Sequence, residues 1–349
     1  LRSAILRGEF AGTGRLPSER SLMARFGVHR NTVRQALDLL KRDGLLQTES
    51  KTGSFVQAVP KSERNVLVLA VHSDPSPELS RLMDGFTHVA AQAGFVARRT
   101  STQPGAGEAM DRVPRISPGS NVAGVALWPQ NPTDVAALHA IEREVPLVLV
   151  DRRVLGFHGN IVRFDDVAGG RLVTEHLIEK GHRKIAFVTD EVFAETVQLR
   201  WRGYVDALDA ASIPFDPRLN LFFNGLVEPF FGLSMRHLLT DRDLRPTAIV
   251  CSNDLVAFSM LRFLSDQGVK VPGEMAVTGY GNCMPDYADA MALTTVDQPF
   301  YDIGREAAGI LIDHIGRDPS TPALTRVEVT VPVSLAVRRS SLFVEPAAA

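Results

Sequence analysis

From residue 65 onward the chain repeats one alternation: a short, almost wholly apolar run, then a longer amphipathic segment. The runs are "NVLVLAV", "GVALW", "VPLVLVD", "KIAFVTD", "TAIVCSND" and "MAVTGYG", and segments such as "DDVAGGRLVTEHLIEKG" separate them. Apolar runs of this length without polar alternation are strands buried on both faces, and helices between such strands make parallel βαβ units. The spacing predicts about ten strands in roughly 280 residues, more than one doubly wound sheet holds comfortably. The expected fold is therefore α/β: a two-lobed body of two parallel doubly wound sheets with a cleft between them. Ligands of open α/β sheets sit beyond the carboxyl ends of the strands. The positions just after the runs are accordingly candidates: Trp128, Asp151, Arg152, Asn253, Asp254, Gly281 and Asn282. Two of them carry a plainer alternative, Trp128 as core and Asp254 as the cap of the helix that follows it.

The first 58 residues read differently. They hold ten Lys and Arg against five Asp and Glu, a net +5, which leaves −7 on the other 291 residues of a chain whose total is −2. A small basic head on an acidic body fits a polyanion-binding module joined to something else. Within the head, Ser18 precedes Glu19 in N-cap chemistry, Leu22, Met23 and Phe26 supply an apolar stripe, and Gly27 stops the helix. A second helix follows at "NTVRQALDLLKRDG", with Val33, Ala36, Leu37 and Leu40 at i, i+3, i+4 and i+7. Two helices joined by a Gly-containing turn are a helix-turn-helix. The first turn of the second helix, Arg30, Asn31, Thr32 and Arg34, lies off the buried stripe, where amide, hydroxyl and guanidinium groups reach bases and phosphates. "LLQT" and "GSFV" then flank "ESKT" as a hairpin, the wing of a winged helix. For Arg20 and Arg34 the plainer alternative is a surface ion pair.

Enzyme signatures are missing where they would be needed. No glycine-rich turn follows the first body strand, and the chain has neither GxxxxGK[ST] nor G-x-S-x-G. His176 and His182 lie six apart, a spacing unsuited to ligating one metal from a helix, and the expectation is no metal and no cofactor. Cys251 and Cys283 are too few for a disulfide framework. No run approaches the roughly 18 apolar residues of a membrane span. "LRSAILRGEF" has no secretory h-region, so the expected location is cytoplasmic.

Two resemblances sharpen this reading. "LPSER", "FGVHRNTVRQAL", "GLL" and "GSFV" resemble the GntR-type winged-helix DNA-binding domain. The resemblance implies DNA contacts from Arg20, Arg30, Asn31, Thr32, Arg34 and Gly53. His29 stands where that family usually has a small hydroxyl residue, Lys51 replaces the first glycine of the wing turn, and Glu49 makes the tip less basic. "FDDVAGGRLVTEHLIEKGHRKIAFV", "PTAIVCSNDLVAFSMLRFLSDQGVKVPGEMAVTGYGN" and "LTTVDQPFYDIGREAAGILI" are similar to the LacI-type effector domain, itself like periplasmic sugar-binding proteins. That likeness implies effector contacts from Asp74, Ser76, Trp128, Asp151, Thr196, Arg200, Asn253, Gln298 and Phe300. Where the family has "GYD" this chain reads "GYGN", so Gly281 removes a carboxylate and Asn282 is the candidate substitute. Arg200 also draws attention on chemical grounds, since an arginine in an otherwise apolar helix needs an anion or a cluster of hydroxyls.

The expectation is thus a winged-helix head over 1–58, a linker over 59–65, an effector-binding and dimerisation body over 66–342 and a tail over 343–349. Its function would be an effector-responsive transcriptional regulator: a repressor that binds a near-palindromic operator as a homodimer and is released by a small molecule, a sugar in the first instance. The alternatives are a soluble solute-binding module with a protein-interaction head, or an activator answering a nucleoside or sugar phosphate.

Overall fold

A computed structural model describes residues 1, 5, 15–42, 46–49, 53–56, 64–72, 76–103, 110, 112–114, 116, 120–130, 132–191, 194–223, 230–316 and 326–342. The chain divides into two compact units. One comprises Leu1–Asp74, Met83–Ile161 and Gly304–Val327; the other comprises Pro75–Leu82, Val162–Ile303 and Glu328–Ala349. The head contains α1 (Glu19–Phe26), α2 (Arg30–Arg42), β1 (Leu46–Glu49) and β2 (Gly53–Val56). The body continues with β3 (Val66–Val71), α3 (Pro77–Gln92), β4 (Val96–Ser101), β5 (Val122–Leu127), α4 (Val135–Glu144), β6 (Leu147–Val150) and β7 (Asn160–Phe164). Then come α5 (Asp166–Glu179), β8 (Ile185–Thr189), α6 (Glu195–Ala210), β9 (Asn220–Phe222), α7 (Phe230–Thr240), β10 (Ala248–Cys251) and α8 (Asp254–Asp266). The remainder is β11 (Ala276–Gly281), α9 (Pro285–Ala290), β12 (Thr294–Asp297), α10 (Phe300–Ile315), β13 (Glu328–Val331), β14 (Ser334–Ala336) and a 3₁₀ turn at Arg339–Ser341.

In the head, the Ser18 hydroxyl accepts from the Ser21 amide at 3.2 Å and Gly27 closes α1 at φ 62°. A left-handed residue costs glycine nothing, which is why the stop falls there. Leu22, Val33, Leu37 and Leu40 bury together with Ile5, Leu16 and Leu46, so the 3.6-residue stripe of α2 does face the core. β1 and β2 pair antiparallel, Leu46 opposite Val56 through Glu49 opposite Gly53. Arg15 bridges Phe55 on the other side of β2, and the Leu16 amide donates to the Ser54 carbonyl. The tip residues 50–52 lie outside the described residues.

The sheets of the body run β13-β7-β6-β5-β3-β4 and β14-β12-β11-β10-β8-β9. In the first, β4, β3, β5 and β6 are parallel; in the second, β9, β8, β10, β11 and β12 are parallel, and β14 joins β12 antiparallel. Each apolar run noted in the sequence is one of the central strands, buried along its length as strands covered on both faces must be.

Two glycines set the pairing of α5 with α6. A Cβ on Gly170 would stand 2.1 Å from the Arg200 carbonyl oxygen, and one on Gly203 would stand 2.1 Å from that of Val167. The two backbones therefore touch, as only glycine permits. This close approach carries Arg200, on α6, against the start of α5.

Candidate DNA-contact and effector residues

Arg20, Arg30, Asn31, Thr32 and Arg34 are all exposed on the head, and Gly53, half-buried, starts β2. Arg30 and Arg34 converge on one carboxylate: Arg30 Nε donates to Glu19 Oε2 at 2.8 Å and Arg34 Nε to Glu19 Oε1 at 3.1 Å. These bonds, that to Arg30 first, hold the Glu19 carboxyl below its ordinary range. Both guanidiniums stay more than half exposed, so the pair with Glu19 orients them without withdrawing their charge from a ligand.

In the first unit, Trp128 Nε1 donates to Asp151 Oδ2 at 3.2 Å, which ties the residue after β5 to the residue after β6. Asp151 is buried and left-handed at φ 68°, a conformation rare outside glycine and asparagine and typical of strained functional turns. Asp74 lies outside the described residues. Ser76, in the second unit, caps α3 by accepting from the Leu79 amide at 3.3 Å.

The remaining candidates gather in the second unit, at the carboxyl ends of its parallel strands and on the helices that start there. Arg200 is buried, with Nε on Asp166 Oδ1 at 2.8 Å, Nη1 on the Ser252 carbonyl at 2.8 Å, and its guanidinium 3.8 Å from the centre of the Tyr280 ring. The anion that this arginine requires is thus Asp166, a residue the sequence reading passed over. Burial pushes the Asp166 carboxyl up, against the opposing pull of Arg200. Thr196 is buried one turn before Arg200. Asn253, next to Ser252, accepts from the Val256 amide at 2.8 Å and donates to Asp190 Oδ1 at 3.2 Å. It is therefore Asn253 that caps α8. Asp254, for which capping was the plainer alternative, is fully buried and accepts instead from the Thr295 hydroxyl at 2.5 Å and the Cys283 amide at 3.1 Å. Burial raises the carboxyls of Asp190 and Asp254.

Gly281 has φ +122°, a region closed in practice to residues with a side chain. Glycine takes that backbone without strain. Asn282 follows at φ 46°, and its groups are engaged inside the unit: Nδ2 on Asp297 at 2.8 Å, Oδ1 taking Arg338 at 3.3 Å, and its carbonyl taking Arg81 at 2.9 Å. Gln298 is buried, with its backbone N–H donating to the Gly281 carbonyl. Phe300 opens α10, packed edge-on against Phe164 at 5.0 Å with Arg81 5.6 Å from its ring centre. Asp190, Asp166, Tyr280 and Arg81 touch the candidate residues and were not singled out from the sequence. Only Asp190 carried a signal, because it ends "KIAFVTD" as Asp151 ends "VPLVLVD". Among the described residues no cluster of His, Cys, Asp and Glu could hold a metal ion.

A basic winged head and a body with polar groups at its strand ends define a two-module class, and comparison with known proteins agrees. Residues 1–56 match "Bacterial regulatory proteins, gntR family" and residues 174–341 match "Periplasmic binding protein-like domain". The chain thus joins a gntR-type helix-turn-helix head to a periplasmic-binding-protein-like body. Among individual relatives, the HTH-type transcriptional repressor PurR of Haemophilus influenzae (strain PittEE) is 34% identical over 200 residues, 56% of this chain and 57% of that protein. The chain therefore spans little more than half the length of that repressor. The arabinose metabolism transcriptional repressor of Geobacillus stearothermophilus is 28% identical over 334 residues, 90% of this chain and 88% of that protein. Of solved structures, the transcriptional regulator CelR–cellobiose complex superposes with TM-score 0.64 at 25% identity, covering 93% of this chain and 100% of that one. A LacI-family regulator from Enterococcus faecium with bound ribose shares the fold at TM-score 0.60, 24% identity, 79% of this chain and 98% of that one.

Proposed function

We propose that this chain is an effector-responsive transcriptional repressor that works in the cytoplasm. Its head, over 1–58, binds operator DNA. Its body, over 66–342, takes up a small molecule at the carboxyl ends of its parallel strands, and 59–65 links the two. The single observation that carries this reading is the union of a gntR-type head with a periplasmic-binding-protein-like body in one chain. The exposed first turn of α2 and the net +5 of the head support the DNA partner. For the effector, Thr196, Arg200, Asn253, Asp190 and Gln298 of the second unit supply hydroxyl, guanidinium, amide and carboxylate groups suited to vicinal hydroxyls, and Phe300 supplies an aromatic face. A sugar is the ligand class this chemistry suits, in keeping with the cellobiose of the CelR complex and the arabinose metabolism of a curated relative.

A homodimer follows from the same reading, because two heads read the two halves of a near-palindromic operator. Leu255, Tyr287 and Met291 are exposed on or beside α8 and α9, with Tyr287 edge-on to Phe258 at 4.5 Å, an apolar patch for a second copy to cover. The effector changes DNA affinity only as far as it binds two states of the protein differently.

The test has two arms. A labelled duplex selected from a random library with the full-length chain should bind wild type with steep salt dependence, and Arg34→Ala should bind it at least about tenfold more weakly, the loss of one strong charged contact. A thermal-shift screen against pentoses, hexoses, sugar phosphates and nucleosides should give a hit that also releases the duplex. Undiminished binding by Arg34→Ala would remove the recognition-helix assignment. A hit confined to phosphates or nucleosides would remove the sugar.

A further inference from the structure

The wing is the weak point of the DNA-binding reading, because Lys51 and Glu49 stand where a glycine-rich, more basic tip is expected. The structure supplies a cation at the start of β2 from another part of the chain. Arg15 pairs with Phe55 in an isolated antiparallel bridge, and the Leu16 amide donates to the Ser54 carbonyl, so residues 15 and 16 run beside β2 of the wing hairpin. In an antiparallel ladder Phe55 and Gly53 point to one face, and the Arg15 side chain runs along that face to the start of β2. Its guanidinium rests on Gly53. A Cβ built there would meet Arg15 Nε at 3.1 Å, Nη2 at 3.4 Å and Cζ at 3.6 Å. Gly53 thus combines a backbone at φ +120° with an empty side that a guanidinium fills.

The same short segment also reaches the recognition helix. Glu19, four residues after Arg15, holds both Arg30 and Arg34. Four extended residues span at most about 14 Å, close to the roughly 12 Å width of the DNA major groove. The two ends of "RLPSE", Arg15 itself and the Glu19 that holds Arg30 and Arg34, therefore lie no farther apart than about the width of one groove. Arg15 itself is exposed, and a planar guanidinium is well matched to phosphate oxygens.

We propose that Arg15 is a DNA-backbone contact, a phosphate-binding guanidinium seated on the wing glycine, additional to the six head residues that the sequence singles out. The proposal rests on the reading that the head binds DNA. It assigns to Gly53 the role of seating Arg15, beyond any contact of its own backbone.

Salt dependence counts phosphate contacts, since each one lost flattens the slope of log K against log[salt] by about 0.9. Full-length wild type, Arg15→Gln, Arg15→Lys, Gly53→Ala and the double variant Arg15→Gln/Gly53→Ala are titrated into two fluorescein-labelled duplexes of equal length. One is recovered by selection from a random library and one has an unrelated mixed sequence. Arg15→Gln should flatten the slope by about 0.9 and weaken binding about fivefold at 0.15 M salt on both duplexes, with its melting temperature unchanged. Arg15→Lys should keep most of the slope. Gly53→Ala should lose as much as Arg15→Gln, and the double variant no more than either, because the two act as one unit. A control, Arg202→Gln, exposed on α6, should match wild type. If wild type binds with steep salt dependence and Arg15→Gln has the same slope, the Arg15 contact falls and the DNA-binding head stands. A loss confined to the selected duplex also overturns it, as that is the mark of a base contact. If wild type binds neither duplex, both readings fall.

Discussion

Changing Asp166 to asparagine tests whether the second unit is built around the Asp166–Arg200 pair. Asp166 is 2% exposed and Arg200 8%, and their Nε–Oδ1 bond is 2.8 Å long. Asparagine keeps the size of the side chain and an oxygen that can accept from Nε, but it removes the charge. The guanidinium then keeps the Ser252 carbonyl and the Tyr280 ring but loses the charge of Asp166. Breaking a buried pair at one end costs about 3–5 kcal/mol, and the surviving hydrogen bond offsets about 1 kcal/mol of that. A net loss of about 2–4 kcal/mol follows, or a melting point lower by about 4–16 °C in a unit of this size. Trp201, on α6 and bonded to Asn220 at 2.9 Å, reports unfolding of this unit by its fluorescence, and Trp128→Phe silences the signal of the other. Urea midpoints multiplied by the slope then give the loss directly. Asp166→Asn/Arg200→Met, which removes both charges, should be less damaged than the sum of its parts by about 2 kcal/mol. A loss below about 1 kcal/mol in Asp166→Asn, or strict additivity in the double variant, would refute the argument that the carboxylate is what makes the buried guanidinium tolerable.

Two further predictions concern the same unit. Gly203→Ala should destabilise by at least about 1–3 kcal/mol, because its Cβ would stand 2.1 Å from the Val167 carbonyl and 2.7 Å from the Arg171 amide, both backbone atoms; in a helix free of such a contact the same change stabilises by about 1 kcal/mol, so a gain in urea midpoint would contradict the close approach of α5 and α6. The His182 imidazole, buried with Nδ1 on the Thr247 hydroxyl at 2.9 Å, is pushed down from 6.5 to about 4, chiefly by burial and then by His176. The fold therefore holds it neutral while the unfolded chain takes up a proton below 6.5, so its contribution is complete above that pH and is lost as pH falls toward 4. The loss at pH 5 is about 2 kcal/mol, and His176, lowered mainly by burial, adds to it in the same direction. Urea midpoints at pH 7.5 and 5 in wild type and His182→Gln measure it, and an unchanged difference in the variant would exclude His182 as the source.

The features that could be read in advance were those with a local cause. Ser18, Gly27 and the Val33–Leu40 stripe act within one or two helical turns, and each does what its pattern implies. The central strands that follow the apolar runs were legible because burial on both faces leaves them almost wholly apolar, Thr189 and Thr278 being exceptions. The edge strands were not: "VARRTS", which forms β4, has no fully buried residue and exposes Val96, Arg98, Arg99 and Ser101, and β9 and β14 are three residues each. Strands of that kind are specified by the neighbour they pair with, which their own sequence does not name. The same limit applies to the candidate site. "FDDV" offers two adjacent carboxylates, of which Asp165 caps α5 by accepting from the Ala168 amide at 3.0 Å and Asp166 takes Arg200. Nothing within the four residues distinguishes them, because the partner that does lies 34 positions away. Gly281 is the converse case. Its sequence reads as a lost ligand group, whereas its φ of +122° makes glycine a condition of the turn.

The division of the chain into interleaved segments bears on how the protein is made. The second unit needs Pro75–Leu82 from early in the chain and Glu328 onward from its end. Its last segment is tied in firmly: Arg338 reaches Asp289 and Asn282, the Ser340 hydroxyl donates to the Val277 carbonyl at 2.6 Å, and Ser341 shares bonds with Thr294 and His176. A ribosome adding about 5–20 residues per second takes roughly ten to thirty seconds to travel from Asp166 to Arg338. The strand ends that carry Asn253 and Gln298 are made within that interval, before the turn that closes behind them. A premature stop a dozen codons before Leu342 therefore deprives the nascent unit of its closing turn as surely as one in the middle of the gene.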